Sequence, residues 1–373
     1  MGLHVYNGMF RLWVPVLFLV VFASACQYQP EERTAARQPV PGTLLLKDFR
    51  PESIYNLPVT EVTRAMYPVI DMHAHDYARS AEGLDQWIRT MDGLGIERTI
   101  ILSMEHGRKF DSILAVYSEY PDRFEIWCGL DYSGYESPDW PAGAVAELER
   151  CYRKGARGVG ELGDKGKGLY YSDPPAWGMH PDDPRMDPIW EKCAELGMPV
   201  SLHVADPKWM YLPMDSTNDG LMNAYTWRLD NQPDIVDHRG MIDKLEQTVK
   251  KHPGTIFIAC HLANCSFDLD LAADLLERYP NLYMDIGARY AEICAIPRTT
   301  QRFLVRCQDR IVYGTDMGRA EEMYRITMRL LETDDEHIYD RRFSYHWPLH
   351  GLDLPDPVLE KIYRTNALEI MSR

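Results

Sequence analysis

Tyr67-Pro-Val-Ile-Asp71-Met-His73-Ala-His75 is the stretch on which the reading of this chain turns. A short apolar run ends in two histidines spaced two apart. If residues 68–72 form a β-strand, side chains alternate between its faces, so both imidazoles leave on one side. Two nitrogen donors at one strand end suit a divalent metal ion. Taken alone, the pattern is short and common, and the same residues read first as two polar side chains in a loop after a strand. The rest of the chain has to decide.

Outward from that stretch, strand-like and helix-like segments alternate. Apolar, β-rich runs lie at 68–72, 98–104, 124–130, 158–162, 200–204, 256–261, 282–286 and 311–314. Segments of helical period lie at 84–94, 112–120, 142–154, 188–196, 241–251, 269–278, 298–307 and 321–331. Glycines such as Gly95, Gly155 and Gly197 follow helical runs, as helix-ending residues do. Apolar strands alternating with helices imply a parallel sheet covered by helices, an α/β fold. Eight such units fit a closed (β/α)8 TIM barrel. An open doubly wound sheet is the other arrangement, but no Gly-x-Gly-x-x-Gly follows the first strand. Two connections, 164–186 and 206–240, are too long for turns. They leave the carboxyl ends of the fourth and fifth strands, where long loops build active sites.

The ends and the composition bound the rest. Residues 1–25 hold Arg11, an apolar stretch at 12–22 and then Ala23-Ser-Ala-Cys26. This resembles a bacterial lipoprotein signal with lipidation at Cys26. That would place the protein in the cell envelope, held at a membrane surface by its N-terminus rather than spanning it. Residues 26–53 are polar and Pro-rich and read as a flexible tether. Residues 54–373 are then the barrel. The net charge is −16, and no long basic run occurs. Both argue against a nucleic-acid partner and leave a small-molecule substrate. Without Cys26, seven of the eight cysteines remain, scattered and lacking Cys-x-x-Cys. They read as small core residues rather than a disulfide framework.

Polar residues gather at the carboxyl ends of these strands. His73 and His75 follow the first, Glu161 ends the fourth, His203 the fifth, His261 the sixth and Asp316 the eighth. In a barrel those ends meet around one mouth. Four imidazoles and two carboxylates there supply donors for one or two divalent ions.

This set resembles the amidohydrolase superfamily, in its amidohydrolase-related branch of metal-dependent barrel hydrolases. The strings Val69-Ile-Asp-Met-His-Ala-His75, Val312-Tyr-Gly-Thr-Asp316 and Ile362-Tyr-Arg-Thr-Asn-Ala-Leu368 are also similar to that branch. The resemblance implies His73, His75, Glu161, His203, His261 and Asp316 as metal ligands, with zinc the expected ion. It also implies Asp316 as the group that takes a proton from metal-activated water. His261 would serve as a donor to the developing oxyanion. Some relatives carry a modified lysine on the fourth strand. Glu161 stands there in this chain, which leaves one ion or two open. Asp71, on the same predicted strand face as the histidines, is a candidate for supporting them. Lys165, Trp209 and Arg228 in the long loops are candidate substrate contacts. The expected activity is hydrolysis of an ester, lactone, amide or related bond. The alternatives are a non-oxidative decarboxylase of the same branch and a ligand-binding lipoprotein without turnover. Oligomeric state is not readable from the sequence.

Overall fold

The computed structural model describes residues 42–171 and 173–372. The candidate signal segment, Cys26 and most of the expected tether lie outside the described residues. The fold below concerns the compact unit that begins at Leu46.

Ten strands form: β1 (Val69–Ala74), β2 (Ile96–Leu102), β3 (Phe124–Trp127), β4 (Val159–Asp164), β5 (Gly168–Leu169), β6 (Ala176–Trp177), β7 (Val200–Val204), β8 (Phe257–Ala259), β9 (Leu282–Asp285) and β10 (Ile311–Val312). Two parallel arcs, β1-β2-β3 and β10-β9-β8-β7-β4, make up eight of them. Backbone hydrogen bonds close both seams. Cys128 N–H donates to Gly158 O at 3.0 Å and Gly160 N–H to Cys128 O at 2.8 Å, while Met72 N–H donates to Tyr313 O at 2.9 Å. The result is the expected (β/α)8 barrel. The remaining pair, β5 and β6, is a small antiparallel hairpin in the connection after β4.

Helices Ala81–Leu94, Gly107–Tyr117, Trp140–Lys154, Asp187–Leu196, His238–Lys251, Leu269–Arg278, Pro297–Arg306 and Glu321–Glu332 cover the barrel. Several open on a side-chain cap: Ser80 accepts from Gly83 N–H, and Asp268 from Leu271 N–H. Gly197, at φ 64°, ends Asp187–Leu196 in the left-handed region that suits glycine. The apolar stripes of these helices pack on one face of the strands. Ile70, Met72, Ile100, Leu102, Trp127, Ile258, Tyr283 and Val312 form a second, inner cluster, joined by Ala367 and Ile370 of the last helix. All seven cysteines among the described residues are buried and free.

Three expectations change in detail. β8 stops at Ala259, short of the expected 256–261, because His261, Leu262, Ala263 and Asn264 all take left-handed backbone angles (φ 52–61°). Asp71 meets the histidines through the backbone and not at their rings, accepting from His73 N–H at 3.2 Å. β1 shifts register between Asp71 and Ala74, and this breaks simple alternation. Asp71 instead accepts from Thr315 Oγ at 2.6 Å and from Tyr324 on the covering helix at 3.1 Å. Residues 46–53 are not a free tether. Phe49, Arg50 and Pro51 line a cavity of about 200 Å³ with Met222, Thr226 and Tyr339.

The β3–β4 seam has no room for a side chain at position 158: a Cβ on Gly158 would lie 2.2 Å from the Trp127 ring, which is fully buried. Gly158→Ala should lower the denaturant midpoint, with a loss of about 1–3 kcal/mol for overpacking. An unchanged midpoint would contradict this packing.

Candidate metal centre

At the carboxyl mouth the six expected donors converge. They form two adjacent trios: His73, His75 and Asp316 in one, Glu161, His203 and His261 in the other. Glu161 lies between them and gives each trio one oxygen. Its Oε2 is 3.4 Å from His75 Nε2 and 3.7 Å from His73 Nε2. Its Oε1 is 2.6 Å from His203 Nδ1 and 3.5 Å from His261 Nε2. Asp316 faces the same centre, with Oδ1 3.1 Å from His75 Nε2 and 3.7 Å from His73 Nε2, and Oδ2 3.7 Å from His261 Nε2.

These residues fit a divalent cation. His73 Nε2 is fully buried and has no hydrogen-bond partner. A buried polar nitrogen left so is costly. Donors about 2.0–2.2 Å from one ion, at tetrahedral to octahedral angles, stand about 3.0–3.6 Å apart. The spacing around His73 Nε2 is close to that.

Surrounding groups hold the ring orientations, as second partners of metal-bound histidines do. His73 Nδ1 lies 2.9 Å from Asp285 Oδ2, His75 Nδ1 2.8 Å from Leu102 O, and His261 Nδ1 2.8 Å from Gly287 O. His203 Nε2 lies 3.1 Å from Asp206 Oδ1. Asp285 also accepts from the backbone N–H groups of His261 and Gly287, so one carboxylate supports both β1 and the turn after β8. Asp71 steadies Asp316 at one remove by accepting from the backbone N–H and the hydroxyl of Thr315. Left-handed non-glycine residues cluster here too: Met104, Ala205, His261 to Asn264, Ala288 and Asp316 all follow barrel strands. Each such residue costs about 1–2 kcal/mol.

The electrostatics point the same way. Burial opposes a charged Glu161, yet His203, then His261 and His73, hold its carboxyl well below the usual range. Asp316 is likewise held low against burial by His73 and His75. Burial alone would depress His75, but Asp316 and Glu161 outweigh it and raise its pKa to about 10. His73 is raised too, since Asp285 and Asp316 overcome its burial. His261 is the exception, lowered by burial and by Arg289. The carboxylates thus demand positive charge, supplied by protons on His73 and His75 or by a metal cation.

Above the donors opens a pocket of about 590 Å³, lined by His203, His261 and Asp316 at its base and by Lys165, Trp227, Arg289 and Tyr345 among its walls. Of the expected substrate contacts, Lys165 lines it. Arg228 does not: it turns to a bidentate pair with Asp230 at 2.8 Å, and its neighbour Trp227 takes the wall position. Trp209 stands behind the wall, against Tyr345 and Trp347. Sequence reasoning missed Asp285, Arg289 and the arm bearing Arg342 to Tyr345. Asp285 ends the seventh barrel strand, and the rule that singled out the candidate donors would have found it.

The amidohydrolase family pattern matches residues 70–371, and the chain belongs to that family. Solved structures share the fold. A TIM-barrel protein from Bordetella bronchiseptica has a TM-score of 0.52 at 16% identity, over 82% of this chain and 100% of its own. A dihydroxybenzoic acid decarboxylase from a Polaromonas species, solved with manganese and 2-nitroresorcinol, has a TM-score of 0.53 at 16% identity, over 82% and 97%. A 2,6-dihydroxybenzoate decarboxylase from Rhizobium has a TM-score of 0.51 at 17% identity, over 82% and 99%. No curated protein matches the chain significantly.

Two outcomes check this geometry. Asp285→Asn, which keeps the shape but removes the charge, should weaken metal affinity about 10–100-fold in a competitive chelator titration. Adding metal to protein in weak buffer near neutral pH should release protons, because the cation displaces them from His73 and His75. Affinity then falls as pH falls. No proton release would contradict the charge account.

Proposed function

We propose that this chain is a divalent-metal-dependent enzyme acting on a small, ring-bearing organic acid or its derivative. The observation that carries the reading is Glu161 set between two donor trios, one oxygen toward each. Such a carboxylate suits a bridge between two ions, one held by His73, His75 and Asp316 and the other by His203 and His261. Four imidazoles favour zinc over manganese, which prefers oxygen ligands. When bound, such ions supply Lewis-acid polarisation of the substrate's oxygen atoms.

The residues of the chain do the remainder. Trp227 and Tyr345 offer flat apolar walls to a ring, and Lys165 a cationic contact. Asp316 sits at the pocket base and is held ionised by His73 and His75. His261, held neutral and donating Nδ1–H to Gly287 O, turns Nε2 as an acceptor toward the base.

We favour non-oxidative decarboxylation of an aromatic acid. The aromatic walls and the likeness to two benzoate-type decarboxylases support it. The carboxylate leaves as carbon dioxide, and a proton, relayed through Asp316 from solvent at the open mouth, takes its place on the ring carbon. Hydrolysis of an ester, lactone or amide is the second reading. The low pKa of Asp316 favours it, since an ionised carboxylate accepts a proton from water at neutral pH.

The test is a two-part assay on metal-loaded protein. Hydroxybenzoates are followed by carbon dioxide release, and a lactone and ester panel by acid release. Carbon dioxide release that vanishes in Asp316→Asn bears out the favoured reading; acid release alone shifts it to hydrolysis. In parallel, Glu161→Gln should lower bound metal by about one ion per chain. Equal metal content in wild type and variant would sink the bridge.

A further inference from the structure

Among the cations lining the pocket, Lys165 stands apart. Arg289 spends its N–H groups on Asn264 Oδ1 at 2.8 and 3.1 Å, on Ala288 O at 2.9 Å and on Glu292 at 3.3 Å. Arg342 forms a bidentate pair with Asp340 and is partly exposed. Lys165 is only 8% exposed yet lines the cavity. Its ammonium has one ionic partner, Asp206 Oδ2 at 2.6 Å. Its other contacts are aromatic faces, with the Tyr171 ring centre at 5.1 Å and the Trp227 ring centre at 5.4 Å. An ammonium has three N–H donors, and π-faces hold a cation without consuming them as a carboxylate does. Donors therefore remain for a ligand in a largely desolvated place, where a charge-assisted hydrogen bond is strongest.

The position is as informative as the charge. Asp206 links Lys165 to His203 Nε2 at 3.1 Å, His203 Nδ1 lies 3.2 Å from His261 Nε2, and His261 lies 3.7 Å from Asp316. Lys165 and Asp316 therefore end a path of contacts that runs through Asp206, His203 and His261, and both line the same pocket.

Resting on the functional reading above, we infer that Lys165 is a specificity-determining anion anchor: the site selects ring substrates carrying a second anionic group, distal to the bond that breaks. Asp206 faces both Lys165 and His203, and its Oδ1 contact with His203 does not pass through the lysine. Trp227, 56% exposed, is the more open of the two rings against the ammonium.

The test uses calorimetry on metal-loaded protein with two probes, isophthalate and benzoate, and metal content measured in every sample. Wild type should bind isophthalate at least about tenfold more tightly than benzoate, the scale of one charge-assisted hydrogen bond. Lys165→Met should bind the two alike at unchanged metal content, and Lys165→Arg should keep part of the gap. Lys165→Gln, nearly isosteric, serves where the Met variant fails to fold. A wild type without the preference, or a Met or Gln variant that keeps it, overturns the anchor. A wild type that shows the preference but holds no metal supports the anchor and contradicts the functional reading, so the two failures are separable.

Discussion

Everything at the mouth of this barrel depends on buried negative charge that needs a cation. Glu161, Asp285 and Asp316 are brought together among four histidines, with Glu161 and Asp285 almost wholly out of water. Burying an uncompensated carboxylate costs several kcal/mol. Protons on His73 and His75 relieve the cost, and a divalent ion relieves it better, because it also satisfies the orphaned His73 Nε2. The left-handed turn from His261 to Asn264 makes sense on the same terms. It is strained, yet it swings His261 into the cluster. Asp285, Val204, Ala205 and Arg289 bind the turn's ends.

The sequence carried the barrel because its strands are near-continuous apolar runs, separated by helices whose period and caps are strong. It carried the ligands because a parallel barrel collects the carboxyl ends of its strands at one place. Asp285 follows from that same rule, since it ends the seventh barrel strand. For Asp71 the strand position was legible but its partners were not, because Thr315 and Tyr324 reach it from far along the chain. The loops were harder still. No periodicity says that Trp227 faces the pocket while Arg228 turns away to Asp230. Contacts such as Lys165 to Asp206, or Tyr345 to Glu292 at 2.8 Å, join segments far apart in the chain and have no local signature.

The walls and the base of the site divide the labour. The base is built from strand ends, and the hydrogen-bond network around it is dense, which suits chemistry that tolerates little misplacement. The walls come from the connections after β4 and β7 and from the arm between helix Glu321–Glu332 and the C-terminal helices. There, aromatic faces and a few paired cations face a roomy pocket. Loops on a rigid scaffold are where substrate choice is usually set, and here the walls are loops while the base is the scaffold.

The central claim is that a metal ion is held at His73 Nε2. Anomalous diffraction from crystals grown with zinc tests it most directly. A peak about 2.1 Å from His73 Nε2, with His75 and Asp316 completing its near neighbours, is the predicted result. A cage without a peak, or zinc bound only elsewhere on the surface, would contradict it.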